Sequence, residues 1–196
     1  MASTAVGGGA GVDDDNAIYA RLRTGDQEAL RVLVTRYHRL LFDFLYRLTD
    51  DHALADDFAQ QAFIRILTYQ GQAPSHVRGW LFTIARNLAY DHFRSARFRY
   101  EHLIDFSDQA NFVLSEPAAT PEQMTIMDDQ RQAIAEMLQR LPPEQREVVI
   151  LRFYHDLSLQ EIADVVDAPL GTVKSRLFHA LRKLKSHLIE IGQTDE

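Results

Sequence analysis

The feature that most constrains the fold of this chain is a hydrophobic repeat at three- and four-residue steps. It is longest between positions 30 and 48, where the apolar positions are Leu30, Leu33, Val34, Tyr37, Leu40, Leu41, Phe44, Leu45 and Leu48. Val, Ile and Thr nowhere alternate with polar residues over a strand-length run between turn signals. The pattern therefore predicts an all-α protein.

Helix-start signals and breaks place the predicted helices. Capping boxes at Thr24–Gln27, Thr120–Gln123 and Ser158–Glu161 each predict a helix N-terminus. The Gly- and Pro-containing stretch 71–75 interrupts the pattern. Beyond the helix that contains the first repeat, we predict helices over about 51–69, 77–99, 121–140, 143–154, 158–166 and 170–191.

The helices group into two small domains. Residues 1–15 are Ala/Gly-rich and then acidic, so they bury almost nothing and are expected to be a disordered tail. A helical domain is predicted over 16–99 and a smaller one over 121–191. The stretch 100–120 has little periodicity and much acid, which predicts a flexible acidic linker between them.

Charge is segregated along the chain, and this matters more than the net charge of −7. Residues 100–130 contain seven acids and no Lys or Arg. By contrast, 169–189 contains five basic residues and no acid, and 86–99 contains four arginines and one aspartate. A negative total would argue against a nucleic-acid partner, but two local basic segments favour one.

Several function classes are excluded or disfavoured. The chain has no cysteine, so disulfides and thiolate chemistry are excluded. Its eight histidines form no tight metal-ligand spacing, and no phosphate-binding or nucleophile motif is present. We therefore expect a protein that is not an enzyme and that binds no metal or cofactor. No apolar run could span a membrane, and residues 1–12 do not resemble a secretory signal. These features predict a cytoplasmic protein without membrane insertion.

The basic segment at 169–189, together with the residues just before it, has the pattern of a helix-turn-helix. A short helix from Ser158 is followed by a turn at 167–171 and a helix that begins near Thr172. We expect its buried stripe to be Val173, Leu177, Leu181, Leu184 and Leu188, and its other face to carry Lys174, Ser175, Phe178, His179 and Arg182. Such a second helix enters the major groove of DNA. A helical hairpin with a solvated basic face is the alternative.

Two motifs carry a specific resemblance. LRFYHDLSLQEIA at 151–163, followed by PLGTVKSRL at 169–177, resembles region 4 of bacterial sigma factors of the extracytoplasmic-function group. ADDFAQQAF at 55–63 and GWLFTIARNLAYD at 79–91 resemble region 2 of the same group. The resemblance covers about 24–188 and implies a transcription initiation factor that binds core RNA polymerase and promoter DNA.

For the upstream (−35) promoter element, the resemblance points to residues of the C-terminal domain. Arg152 would contact a phosphate, Phe178 would pack on a thymine methyl unless it is a core residue, and His179 stands where arginine is usual. The full predicted set is Arg152, Thr172, Lys174, Ser175, Arg176, Phe178, His179 and Arg182.

For the downstream (−10) element, the resemblance implies that a loop and the helix after it capture the melted strand. Arginines and flat side chains suit the phosphates and bases of a single strand. Trp80 could stack on a base, but its apolar neighbours favour a core position. The predicted set is Gln72, Ser75, His76, Arg78, Arg86, Asn87, Tyr90, Arg94 and Arg97.

Contact with core polymerase is assigned by resemblance to Asp57, Gln60 and Gln61, although Gln61 stands where an acid is usual. The family also implies that the acidic linker enters the polymerase near the RNA path and that an anti-sigma factor restrains the chain. We expect a monomer when the chain is free. The competing hypothesis is a free-standing helix-turn-helix regulator, which would not explain the match to region 2.

Overall fold

The computed structural model describes residues 12–104 and 126–192, and these residues form eight α-helices. The N-terminal domain contains α1 (Val12–Arg23), α2 (Gln27–Thr49), α3 (His52–Thr68) and α4 (Val77–Ile104). The C-terminal domain contains α5 (Ile126–Gln139), α6 (Pro143–Phe153), α7 (Leu159–Val166) and α8 (Leu170–Gly192). The described residues contain no strand, and the all-α prediction with two helical domains is confirmed.

Most predicted helices begin and end within a few residues of the observed ones. Ser158 caps α7 in the predicted capping box, since its hydroxyl accepts from the Glu161 amide at 3.2 Å while the Glu161 carboxylate accepts from the Ser158 amide at 2.7 Å. Helix α4 continues to Ile104, inside the predicted linker. The remainder of that linker and the capping box at Thr120–Gln123 lie outside the described residues.

Two expectations near the N-terminus were wrong. Helix α1 begins at Val12, inside the predicted tail, and Asp15 is buried, where its carboxylate accepts hydrogen bonds from Arg36 and Tyr37. Asp26, rather than Thr24, caps α2 by accepting from the amides of Glu28 and Ala29. The Thr24 hydroxyl instead donates to the Arg21 carbonyl at 2.8 Å.

The two domains share one hydrophobic core. It extends from Ile18 and Tyr19 through α2, α3 and α4 to Val165 and Val173 in the C-terminal domain. Helix α4 packs on α7, and α2 packs on α6. We call this contact between α2 and α4 on one side and α6 and α7 on the other the domain interface.

His155 lies in the domain interface and is 3% exposed. Its ring centroid is 4.9 Å from that of Phe82 and 6.0 Å from that of Phe44, and neither ring nitrogen hydrogen-bonds to another described residue. Burial, together with the positive charges of Arg78 and Arg47, lowers the pKa of His155 to about 4.

This shift predicts a pH-dependent loss of stability. Between an ordinary pKa of 6.5 and about 4, the unfolded His155 binds a proton that the folded residue does not. The free energy of unfolding should therefore decrease as the pH is lowered from about 6.5 to about 4, by up to roughly 3 kcal/mol from this group. Denaturant unfolding of the wild type and His155→Leu at pH 7 and pH 4.5 measures it. An equal pH dependence in both proteins would contradict the assignment.

Candidate nucleic-acid interface

The short helix α7, a tight turn and the long helix α8 build the predicted helix-turn-helix. Helix α7 ends at Asp167, which adopts a left-handed conformation with φ of 51° and lets the chain reverse direction. Helix α8 then starts with the amides of Thr172 and Val173 donating to the Pro169 carbonyl at 2.8 and 3.1 Å. Val173 is fully buried between the helices, which fixes the rotation of α8.

The outer face of α8 is exposed, as predicted. Lys174, Ser175, His179 and Arg182 are all exposed, and Thr172 is half-buried. The Phe178 side chain is 63% exposed and meets only the edge of the His179 ring, at 5.5 Å between centroids. A large aromatic residue so exposed is not a core residue, so the alternative position for Phe178 is wrong.

The predicted buried stripe of α8 needs one correction. Leu181 is 43% exposed, and Ala180 occupies the buried position instead. Leu177 and Leu184 are half-buried, and the side chain of Leu188 lies outside the described residues. Leu181 and Leu184 border an apolar groove with Phe153 and Tyr154.

Arg152 is exposed at the end of α6, before the helix-turn-helix. One of its guanidinium nitrogens donates to the Leu157 carbonyl at 2.9 Å. This bond ties Arg152 to the turn before α7, and because the residue as a whole is exposed, a phosphate can reach it.

The predicted downstream loop lies between α3 and α4. Gln72, Ser75 and His76 are exposed in it. Asn16 of α1 holds its end, because its amide nitrogen donates to the Ser75 carbonyl at 2.8 Å and its amide oxygen accepts from the Val77 amide at 3.1 Å. Asn16 was missed because α1 was not predicted.

Trp80 lies in the first turn of α4, just after the loop. Its ring meets Tyr19 and Tyr69 edge-on, at 5.3 and 4.9 Å between centroids. It is half-buried against the core, in keeping with the core position that its neighbours favoured.

The predicted downstream residues of α4 fall into two groups. Asn87 and Arg94 are exposed, and the Arg97 side chain lies outside the described residues. Arg78 and Arg86 face the domain interface instead. Arg78 donates to the His155 carbonyl, and Arg86 donates to both carboxylate oxygens of Glu147, at 2.7 and 3.3 Å.

Tyr90 completes this inner group. The Arg86 guanidinium lies 4.3 Å from the centroid of the Tyr90 ring. Burial and the negative charge of Glu147 raise the pKa of Tyr90. Two of the arginines expected to bind a melted strand, Arg78 and Arg86, therefore donate hydrogen bonds to the C-terminal domain instead.

Glu147, which Arg86 contacts, was not identified from the sequence pattern. It is fully buried in α6, and burial raises its pKa while Arg86 acts in the opposite direction. Its signal was a lone acid directly before the apolar run 148–151. A carboxylate in such a position needs a cationic partner.

The predicted polymerase-contact residues lie together on α3. Asp57 and Gln60 are exposed and Gln61 is half-exposed. The Gln61 amide donates to the Asp57 carboxylate at 2.7 Å, and Gln60 makes the equivalent bond to Asp56. These bonds order a polar surface one helical turn long.

Within 12–104 and 126–192, no group of His, Asp and Glu side chains could hold a metal ion. In the same ranges, no helix is long and apolar enough to cross a membrane.

Family comparisons match both halves of the chain. The sequence model of sigma-70 region 2 matches residues 33–99, and that of sigma-70 region 4 matches residues 131–184. The chain is 35% identical to the ECF RNA polymerase sigma factor SigL of Mycobacterium tuberculosis, over 84% of this chain and 92% of that protein. It is 30% identical to the ECF RNA polymerase sigma-E factor of Escherichia coli, over 85% and 90%.

Solved structures share the fold. CnrH, in complex with the cytosolic domain of CnrY, superposes with a TM-score of 0.65 at 22% identity, over 91% of this chain and 99% of CnrH. The sigma factor RpoE of Bartonella quintana, in complex with the anti-sigma factor NepR, gives 0.62 at 22% identity, over 81% and 95%.

Proposed function

Because the chain belongs to the sigma-70 family, in its extracytoplasmic-function group, we propose that it directs core RNA polymerase to promoters by reading two DNA elements. As a family member it is a polymerase-associated factor for transcription initiation and not an enzyme. Such a factor works in the cytoplasm as a polymerase subunit.

Duplex reading at the upstream element is assigned to α8. Its exposed residues Lys174, Ser175 and His179 lie near the N-terminal half of the helix, where base edges come within reach of a helix in the major groove. Arg152 and Arg182 serve as phosphate contacts. The exposed face of α8 is the observation that best supports this proposal.

Strand capture at the downstream element is assigned to the loop that Asn16 fixes and to α4. Gln72, Ser75 and His76 are exposed and can contact an unpaired base. Asn87 and Arg94 continue that surface along the helix. Asp57, Gln60 and Gln61 on α3 form the proposed contact with core polymerase.

An anti-sigma factor is the proposed regulatory partner. The structure of Bartonella RpoE contains the anti-sigma factor NepR, and that of CnrH contains the cytosolic domain of CnrY, which supports control of this chain by a bound partner protein. Coexpression with a protein encoded beside this chain, followed by purification of the pair, tests this part.

The experiment that separates this proposal from a free-standing regulator compares DNA binding with and without polymerase. We expect the free chain to bind duplex promoter DNA weakly, with an affinity that falls steeply with salt. The holoenzyme should bind far more tightly. Fluorescence anisotropy over a salt series measures both, and tight sequence-specific binding by the free chain at physiological salt would support the regulator instead.

A further inference from the structure

The loop 69–76 between α3 and α4 is held by helix α1, which precedes the segment 33–99 matched to sigma-70 region 2. At the end of the loop, the Asn16 amide nitrogen donates to the Ser75 carbonyl at 2.8 Å. The amide oxygen of the same side chain accepts from the Val77 backbone amide at 3.1 Å. One side chain of α1 thereby fixes the last residues of the loop and caps the N-terminus of α4.

The start of the loop rests on α1 through the ring of Trp80. The Tyr69 ring packs edge-on to Trp80, and Trp80 packs edge-on to Tyr19 of α1, at 4.9 and 5.3 Å between centroids. Tyr19 is buried in the core. The chain folds back over Tyr69 at Gly71, where a Cβ atom would collide with the Tyr69 ring. Helix α1 therefore supports the loop at its first residue as well as at its last ones.

Between these two supports, the loop has few contacts with the described part of the chain. The backbone of 70–74 makes no hydrogen bond to any described residue. The polar side chains of Gln72, Ser75 and His76 are all exposed. The positions of these side chains therefore depend on how the two ends of the loop are held.

Helix α1 can act as a fixed support because its own start is anchored in the domain. Asp15 is buried and accepts hydrogen bonds from Arg36 and Tyr37 of α2. Ile18, on the next turn, is buried in the core. Asn16 lies directly after the Asp15 anchor, so its side chain cannot follow a displaced loop without breaking these contacts.

We propose that Asn16 is a positioning residue of the strand-capture site, which sets the base preference at the downstream element by fixing the loop that contacts the unpaired base. This rests on the proposed strand-capture role of that loop. An unpaired base is selected by polar groups that meet its edge at defined positions, and selection weakens when these groups move. Loss of the Asn16 side chain should therefore relax the choice of base without removing any group that contacts DNA.

Two substitutions separate this role from a contribution to stability. Asn16→Ala removes both hydrogen bonds and should lower the melting midpoint by about 4 °C, as the loss of a helix cap does. Asn16→Asp still accepts from the Val77 amide, and its charge suits the N-terminus of α4, so its midpoint should stay within about 2 °C of the wild type. Its carboxylate cannot donate to the Ser75 carbonyl and repels that oxygen, so the loop should still be displaced.

Asp26→Ala is the matched control. Asp26 caps α2 by accepting from the backbone amides of Glu28 and Ala29. The control thus removes the same kind of capping interaction from the same domain, beyond the opposite end of α1 from Asn16. It should lower the melting midpoint at least as much as Asn16→Ala does, and leave the loop unchanged.

Base preference is measured by transcription of genomic DNA fragments with the holoenzyme of each variant. Sequencing of the transcript 5′ ends locates the start sites, and the base frequencies upstream of them give the preference at each element. With both Asn16 variants, the ratio of preferred to disfavoured bases at the most selective downstream position should fall at least about fivefold. The ratio at the upstream element, which α8 is proposed to read, should change less than about twofold, as should both ratios with Asp26→Ala.

Trp80 fluorescence reports on the loop in the free chain, without polymerase or DNA. Trp80 is the only tryptophan of the chain, and its ring contacts Tyr69 at the start of the loop. We expect acrylamide to quench this fluorescence more strongly in both Asn16 variants than in the wild type. Asp26→Ala should be quenched like the wild type.

Stronger quenching together with a loss of preference confined to the downstream element supports the proposal. Unchanged quenching in both Asn16 variants overturns the fixing of the loop. Stronger quenching with an unchanged downstream preference overturns the link between loop position and base choice, while transcripts from defined start sites still support the proposed function. An equal loss of preference at both elements, or with Asp26→Ala, also overturns the proposal. A wild-type chain that directs no transcription refutes the proposed function and this proposal with it.

Discussion

Asp57→Lys is expected to weaken the affinity of the chain for core RNA polymerase by about tenfold or more, and to abolish initiation at moderate concentrations. Asp57 is exposed on α3 and orders Gln61 through a 2.7 Å hydrogen bond. Reversal of its charge replaces an attraction with a repulsion at the proposed contact and also releases Gln61. Surface plasmon resonance with immobilised core polymerase measures the change.

Asp164→Lys is the matched control for this variant. Asp164 is an exposed aspartate of α7 whose carboxylate accepts from Gln160 one turn away, at 3.3 Å, so it repeats the same pairing on the other domain. It should leave polymerase affinity within about twofold. Equal losses in both variants would mean that net charge, and not the α3 surface, determines binding.

The second large effect is expected at Phe178. Because its side chain is 63% exposed and packs on no core residue, Phe178→Ala should leave the free energy of unfolding within about 0.5 kcal/mol. If the ring covers a thymine methyl, its loss should reduce holoenzyme affinity for the upstream element by about tenfold. Filter binding of the holoenzyme to promoter DNA measures the reduction.

Replacing thymine by uracil in the upstream element isolates the contact, because uracil lacks only the methyl group. The wild-type holoenzyme should lose affinity on uracil-containing DNA, whereas the holoenzyme with Phe178→Ala should not. The control variant is Leu181→Ala, an exposed residue of the same helix that borders the apolar groove. A wild type indifferent to uracil would contradict the role of Phe178.

The helices could be predicted well because hydrophobic repeats and capping residues depend only on near neighbours in the sequence. The three- and four-residue repeat placed α2, and the Ser158–Glu161 pair placed the start of α7, since each depends on neighbours within one or two turns. The N-cap of α2 was assigned to Thr24 instead of Asp26 because both residues can cap a helix and they are only two positions apart. Leu181 was misplaced because the smaller Ala180, rather than the larger apolar residue beside it, is the one that packs in the C-terminal core.

The domain interface could not be predicted in the same way. Arg86 and Glu147 are 61 positions apart, so no periodicity connects them. The arginine spacing on α4 fits a nucleic-acid surface and an ion-pair surface equally well. Only the packed structure shows that Arg78 and Arg86 face the C-terminal domain, whereas Asn87 and Arg94 face outward.

Run-off transcription with purified core polymerase and genomic DNA fragments tests the central claim most directly. The account predicts discrete transcripts from defined start sites that appear only when this chain is added, and that disappear with Asp57→Lys. No chain-dependent transcript, together with no association with core polymerase at micromolar concentrations, would contradict it.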